Sequence, residues 1–172
     1  PIYSDDYAMH FAQCRAVKKY LGTFLSCWAY DPFYLAGMPN GTLGNADNKA
    51  WEVFYAMLSP LLGEGFAFKL YVLLFFALYP LFLYGSARNF GLSRGAGLSA
   101  AIFGILFFHL SLCINMVAWG MISYVFVCFF SLYVLSLFHR LLESFGAVRC
   151  IQVAVGLGIL VLMHILAIVH LF

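Results

Sequence analysis

The 172-residue chain is 65% hydrophobic and 9% charged, with a mean hydropathy of +0.94 and a formal net charge of +2. A soluble domain carries about 25% charged residues, so this composition excludes a soluble globular protein and predicts an integral membrane protein. The small net charge, without a dense basic run, gives no indication of nucleic-acid binding. Six of the seven acidic residues lie within residues 1–65. We therefore divide the chain into a polar head (1–65) and an apolar body (66–172).

The head opens with a segment, residues 4–21, that is predicted to be an amphipathic helix. Asp5 and Asp6 in its first turn suit the positive end of the helix dipole. Tyr7, Phe11, Cys14 and Leu21 fall on one face, and another face carries the basic residues Arg15, Lys18 and Lys19. We expect this helix to lie in the membrane interface, where its basic face either meets lipid phosphate groups or is simply solvated.

Asp6 and His10 are four residues apart, so both side chains point to the same side of that helix. A carboxylate beside an imidazole can serve as a catalytic base with its orienting partner, or can contribute to a metal site. An ordinary surface contact is the alternative interpretation. Further along the head, Cys14 and Cys27 either remain thiols or form a disulfide bond in an oxidising compartment.

Residues 28–55 form an aromatic segment rich in turn signals, such as Asp31-Pro32 and Pro39-Asn40-Gly41. We expect it to be looped. The following "AWEVFYAMLSPLLG" is predicted to be a short amphipathic helix that ends near Pro60 and Gly63 and leads into the apolar body.

The apolar body is predicted to cross the membrane four times. The charge-free run from 95 to 139 has 45 residues, about twice the number that one span needs, so it is divided at "NMVAWG". The predicted spans are 66–87, 97–114, 120–139 and 150–172. The fold class is therefore an all-α, polytopic integral membrane protein with four transmembrane helices after a polar head.

Arginines in the short loops predict the orientation of the chain. Arg88 and Arg94 flank one loop and Arg140 and Arg149 flank another, whereas the turn at 115–120 is uncharged. By the positive-inside rule both loops with arginine are cytoplasmic, which places residues 1–65 on the outer side of the cell membrane.

The order of these features resembles the GT-C superfamily of membrane glycosyltransferases, which use polyprenyl-phosphate-linked sugars. The acidic pair followed by His10, the loop "WAYDPFYLAGMP" and the later "ARNFGLSRGAGLSAAIFG" carry the resemblance. It is strongest to bacterial proteins described as 6-pyruvoyl-tetrahydropterin-synthase-related or YfhO-like. That superfamily has a span before the acidic pair, and none precedes it here, so we expect a piece of a larger enzyme or a shortened relative.

The resemblance implies a role for each matched residue. Asp5 or Asp6, with His10, would act in catalysis, and the loop cations Arg15, Lys18, Lys19 and Lys49 would hold the lipid phosphate. A divalent metal bound by the acidic pair is left open. The alternative function is a non-catalytic membrane subunit that serves as a helical scaffold for other membrane subunits.

Histidines of the apolar body suggest a further possibility. His109 on one span and His164 on another are able to ligate haem if they face each other. The preferred interpretation is that they are neutral and hydrogen-bonded between helices.

Overall fold

In the computed structural model, residues 6–32, 37–40, 48–164 and 167 are described. Helices dominate them, as the composition predicted, with one short two-stranded sheet added. The elements in chain order are α1 (Asp6–Phe24), β1 (Ala29–Asp31), β2 (Met38–Asn40), α2 (Lys49–Leu62), α3 (Glu64–Asn89), α4 (Arg94–Phe108), α5 (Ser111–Ala118), α6 (Ile122–Glu143) and α7 (Ala147–Met163).

Among the described residues, two helices are long and apolar enough to cross a membrane by themselves, α3 with 26 residues and α6 with 22. The pair α4 and α5 passes the same test only jointly, and it is bent by 66°. The structure therefore supports two or three membrane-crossing segments, and the chain is a helical membrane protein. At 17 residues, or about 26 Å, α7 is shorter than a bilayer core of about 30 Å.

The four predicted spans have different outcomes. Residues 66–87 lie within α3, and most of 120–139 lies within α6. The predicted span 97–114 falls on α4 and the first part of α5, and the chain bends between Phe108 and Ser111, so this span is present only if the bent pair crosses the membrane as one segment. The predicted span 150–172 begins inside α7, but its last part lies outside the described residues.

The bend between α4 and α5 has a local cause. The amides of His109 and Leu110 donate to the carbonyls three residues earlier, at 3.0 Å each, which tightens the last turn of α4. Leu110 then takes an extended conformation, with φ −66° and ψ 141°. Phe108 is buried against Phe75 and Phe76 of α3, at ring-centroid distances of 5.5 and 5.0 Å, and this contact fixes where α4 ends.

Small residues allow the membrane helices to approach closely. A Cβ atom on Gly104 of α4 would overlap Leu83 of α3, and one on Gly156 of α7 would lie 2.9 Å from Val134 of α6. Backbones in contact at glycine gain van der Waals packing, which is a principal source of helix association in lipid. Helices α4 and α6 both pack on α3, and α7 packs on α6.

In addition to its side-chain packing on α3, the head is attached to this bundle by two backbone hydrogen bonds between segments distant in sequence. The amide of Asp6 donates to the carbonyl of Trp119 at 3.2 Å, in the turn between α5 and α6, and the amide of Asn48 donates to the carbonyl of Met163 at 3.1 Å. Within the head, β1 and β2 pair antiparallel, so the segment expected to be looped contains a hairpin. The predicted helix after it is confirmed as α2, which ends at Gly63 with φ +81°.

Candidate functional site

Helix α1 carries most of the predicted site residues, and its apolar face is covered by protein. Tyr7, Cys14 and Val17 are buried, and α1 packs on α2. Trp51 of α2 is fully buried beneath it, stacked on Phe68 at 4.5 Å. The expectation that this face lies on lipid in the interface is therefore wrong for α1, because aromatic side chains of α2 and α3 cover it instead.

Asp6 and His10 have different surroundings although they are one turn apart. The Asp6 side chain is exposed at the start of α1, whereas His10 is buried. The Nδ1 atom of His10 lies 3.4 Å from the side-chain oxygen of Gln13 and 3.3 Å from the side-chain nitrogen of Asn48. Its ring packs on Trp51 at 5.5 Å. These contacts give His10 a place in the packing between α1 and α2. Asp5 lies outside the described residues.

The three basic residues of α1 line one cavity of about 670 Å³, together with Glu64 at the start of α3. Glu64 accepts from Lys18 at 3.0 Å and lies 3.3 Å from the Nε atom of Arg15. Lys18 also lies 6.0 Å over the ring of Tyr55. Within the described part of the chain, Lys19 forms no ion pair. The cavity thus holds three cations and one carboxylate, a surplus of two positive charges.

Lys49, the fourth cation assigned to lipid phosphate, lies elsewhere. Its ammonium group is 2.6 Å from the carboxylate of Glu52, and the two side chains are only 11% and 1% exposed. It is not among the residues that line the basic cavity. A buried lysine in an ion pair stabilises the start of α2 and is not accessible to a lipid phosphate.

Asp6 is separated from the basic cavity along α1. Nine residues lead from Asp6 to Arg15, which corresponds to about 13 Å of axial rise and two and a half turns. Their side chains therefore leave the helix in nearly opposite directions. The structure brings Arg15, Lys18 and Lys19 together as the sequence predicted, and it does not bring Asp6 to them.

The cysteines of the head are free thiols. Cys14 is 1% exposed and Cys27 is partly exposed. Burial raises the pKa of the Cys14 thiol well above its ordinary range, and the nearby Glu52 carboxylate raises it further. Cys14 is therefore protonated and unreactive at neutral pH, as expected for a cysteine that serves as a small buried hydrophobe.

Among the described residues, no group of three or more histidine, cysteine, aspartate or glutamate side chains is arranged to hold a metal ion. His109 is exposed at the end of α4, and the ring of His164 packs edge-on to Tyr124 of α6 at 5.5 Å. The described contacts of His164 are those of a packed histidine between helices.

Comparison with known proteins gives no relative: no family model, no curated protein and no solved structure matches the chain. The assignment of function therefore depends on the residues and their geometry.

Two functional features were not identified from the sequence. Glu64 belongs to the basic cavity although it follows Lys18 by 46 residues, and no local pattern connects the two. Asn48 and Gln13 are the polar neighbours of His10. Gln13 lies three residues after His10, and this helical spacing was enough to predict from the sequence that the two side chains are neighbours. Asn48 depends on the packing of α2 against α1, which periodicity does not specify.

Proposed function

We propose that this chain is a GT-C-like membrane glycosyltransferase, or a part of one, that transfers sugar from a polyprenyl-phosphate donor at the outer membrane face. The observation that carries the proposal is the basic cavity of Arg15, Lys18 and Lys19 beside the first residue of α3. Because α3 is long enough to cross the membrane, its first residue lies near the level of lipid phosphate groups.

The cavity has the charge that a phosphate requires. Glu64 holds Arg15 and Lys18 in position by ion pairs, and the net surplus of two positive charges matches a phosphate ester. Charge-assisted hydrogen bonds from arginine and lysine to phosphate are about twice as strong as neutral ones. In this proposal the sugar-phosphate lies in the cavity and the polyprenyl chain extends into the bilayer.

The chemistry proposed is displacement at the anomeric carbon. The acceptor hydroxyl oxygen forms a bond to that carbon while the bond to the lipid-phosphate oxygen breaks. A carboxylate, Asp6 or Asp5, accepts the acceptor proton, and the departing phosphate keeps the bonding electron pair and is stabilised by the cations. A base must lie within hydrogen-bond reach of the hydroxyl that attacks the carbon bonded to the phosphate. Asp6 lies about 13 Å along α1 from Arg15 and on the opposite side of the helix, so this catalytic role requires the head to rearrange when the donor binds.

A second candidate function is a non-catalytic membrane subunit that acts as a helical scaffold. The specific observation in its favour is the separation of Asp6 from the basic cavity, together with the packing role of His10. In that case the cavity anchors the head to membrane lipid, and Asp6 is only a favourable negative charge in the first turn of α1.

Sugar transfer by the full-length native protein tests both functions. Asp6→Asn is expected to lower the transfer rate by about 10² to 10⁴-fold, the usual contribution of a general base. Glu143→Gln is the matched control, because Glu143 is an exposed carboxylate at the far end of α6. Full activity in Asp6→Asn removes the catalytic assignment. No transfer by the unmodified protein, with retained binding of polyprenyl phosphate, supports the scaffold.

A further inference from the structure

A second basic cavity, of about 270 Å³, lies where α6 ends and α7 begins. Arg140 and Arg149 line it together with Leu137, Val148 and Gln152. Its two arginines belong to different helices, and the connecting segment Ser144 to Gly146 lies between them. Neither the proposed sugar transfer nor the scaffold function uses this cavity.

The two guanidinium groups are held in position by neutral acceptors. Arg149 donates from Nη1 to the carbonyl of Arg140 at 2.9 Å and to the carbonyl of Ser144 at 2.6 Å, and it contacts the Ser144 hydroxyl as well. Arg140 donates from Nη1 to the side-chain oxygen of Asn89 at 3.3 Å. Each guanidinium has five N–H donors in a planar fork, so Nε and Nη2 of both remain for another acceptor.

The charge of this cavity is not neutralised within the described part of the chain. Neither arginine is in an ion pair there, and the nearby Glu143 instead lies 3.9 Å from Nδ1 of His139. The cavity of α1 differs in this respect, because Glu64 pairs with both Arg15 and Lys18. Two guanidinium groups fixed in one cavity repel each other, and an anion between them relieves that repulsion.

The surroundings of the cavity are those of a membrane surface. Leu142 and Phe145 are 72% and 85% exposed in the segment between the two arginines, and Val148 at the cavity itself is 69% exposed. Because α6 is long enough to cross the membrane, its last turn lies at the interface. Exposed apolar side chains beside paired arginines fit an amphipathic ligand, with a phosphate head and an acyl chain, better than a free inorganic ion.

We propose that Arg140 and Arg149 form a binding site for the phosphodiester head group of an anionic phospholipid. The phosphate oxygens accept from the free N–H groups of both arginines, and an acyl chain lies along Leu137 and Val148. This inference does not depend on the proposed glycosyltransferase function, since it uses neither α1 nor a sugar donor.

The test measures retained lipid on the full chain by native mass spectrometry. The protein is reconstituted in nanodiscs of phosphatidylcholine with one-fifth phosphatidylglycerol and then released. Each of Arg140→Gln and Arg149→Gln is expected to weaken phosphatidylglycerol retention by about tenfold or more, because hydrogen bonds to a bound phosphate contribute more than the roughly fivefold effect of any basic residue near a membrane surface. Arg94→Gln is the matched control, because Arg94 carries the same charge and does not line the cavity. Equal loss in all three variants would overturn a specific site.

Two further measurements distinguish lost lipid binding from a folding defect, and a lipid ligand from a free anion. Arg149→Lys keeps the charge and removes the bidentate fork, so retention between that of the native chain and Arg149→Gln supports the site, and retention equal to the native chain contradicts it. If Arg149→Gln does not fold, Arg140→Gln carries the test alone. Inorganic phosphate at millimolar concentration is added to the native chain. Full displacement of phosphatidylglycerol would show a free-anion site and refute the lipid assignment.

Discussion

The turn between α5 and α6 determines where α1 begins, and Gly120→Ala tests this. Gly120 has φ +93°, and a Cβ atom there would lie 2.9 Å from Cβ of Asp6 and 2.9 Å from the backbone nitrogen of Tyr7. Contacts this short with backbone require the start of α1 to move. The same motion would break the 3.2 Å hydrogen bond from the Asp6 amide to Trp119.

The size of the effect has two parts. An L-residue in the left-handed region costs about 1–2 kcal/mol, and overpacking at a close contact costs about 1–3 kcal/mol. Gly120→Ala is therefore expected to lower the free energy of unfolding by about 2–5 kcal/mol. Gly91→Ala is the matched control, because Gly91 has φ +79° and open space around its Cβ position. Gly91→Ala therefore incurs only the cost of the left-handed backbone region, about 1–2 kcal/mol.

The assay is unfolding in mixed detergent micelles, combined with hydrogen exchange of the first turn of α1. Gly120→Ala should be the less stable variant by about 1–3 kcal/mol, and the Asp6 and Tyr7 amides should exchange faster in it alone. Equal stabilities of the two alanine variants, with unchanged exchange at Asp6, would show that α1 does not rest on this turn.

Three further predictions concern the head. Glu52→Gln leaves the Lys49 charge buried without its partner and should lower the free energy of unfolding by about 3–5 kcal/mol. The double variant Lys49→Met with Glu52→Leu leaves no buried charge, so the same unfolding assay should show a much smaller loss of stability. Maleimide should label Cys27 in the folded protein and Cys14 only after denaturation, because burial raises the pKa of Cys14 and excludes the reagent; rapid labelling of native Cys14 would contradict its placement. Burial raises the pKa of Tyr7 to about 12 from its ordinary 10.0, so its stabilising contribution is complete below pH 10 and is lost between pH 10 and 12. Tyr7→Phe should reduce the fall in stability over that interval by up to about 2 kcal/mol, and an unchanged fall would refute the assignment.

The position of α3 was predictable because charged residues flank its apolar run, and that of α6 because the charge-free run 95–139 is too long for one span and "NMVAWG" offers a break within it. A charge-free run of this length has few alternatives in a membrane, since its backbone must be hydrogen-bonded internally. The bend at His109 and Leu110 was not predictable in the same way. It contains neither glycine nor proline, and it depends on the docking of Phe108 against α3.

The grouping of the basic residues of α1 was predictable, and the burial of His10 was not, for a related reason. Helical periodicity identifies which face of α1 is apolar and places Arg15, Lys18 and Lys19 together on another face. It does not identify the element that covers the apolar face, so the burial of His10 by α2 was missed. Contacts between distant segments, such as Lys18 with Glu64, require the tertiary structure.

The hydrogen bond from Asn48 to Met163 has a consequence for biosynthesis. Its two residues are separated by about 115 positions in the chain. At a synthesis rate of about 5–20 residues per second, the start of α2 emerges roughly 6 to 23 seconds before its partner in α7 exists. During that interval the head lacks its backbone attachment to α7, and Ala50 and Phe54 of α2 lack Ile159 and Met163, the α7 residues with which they line a cavity. Completion of the head is thus delayed until the last described helix has been made.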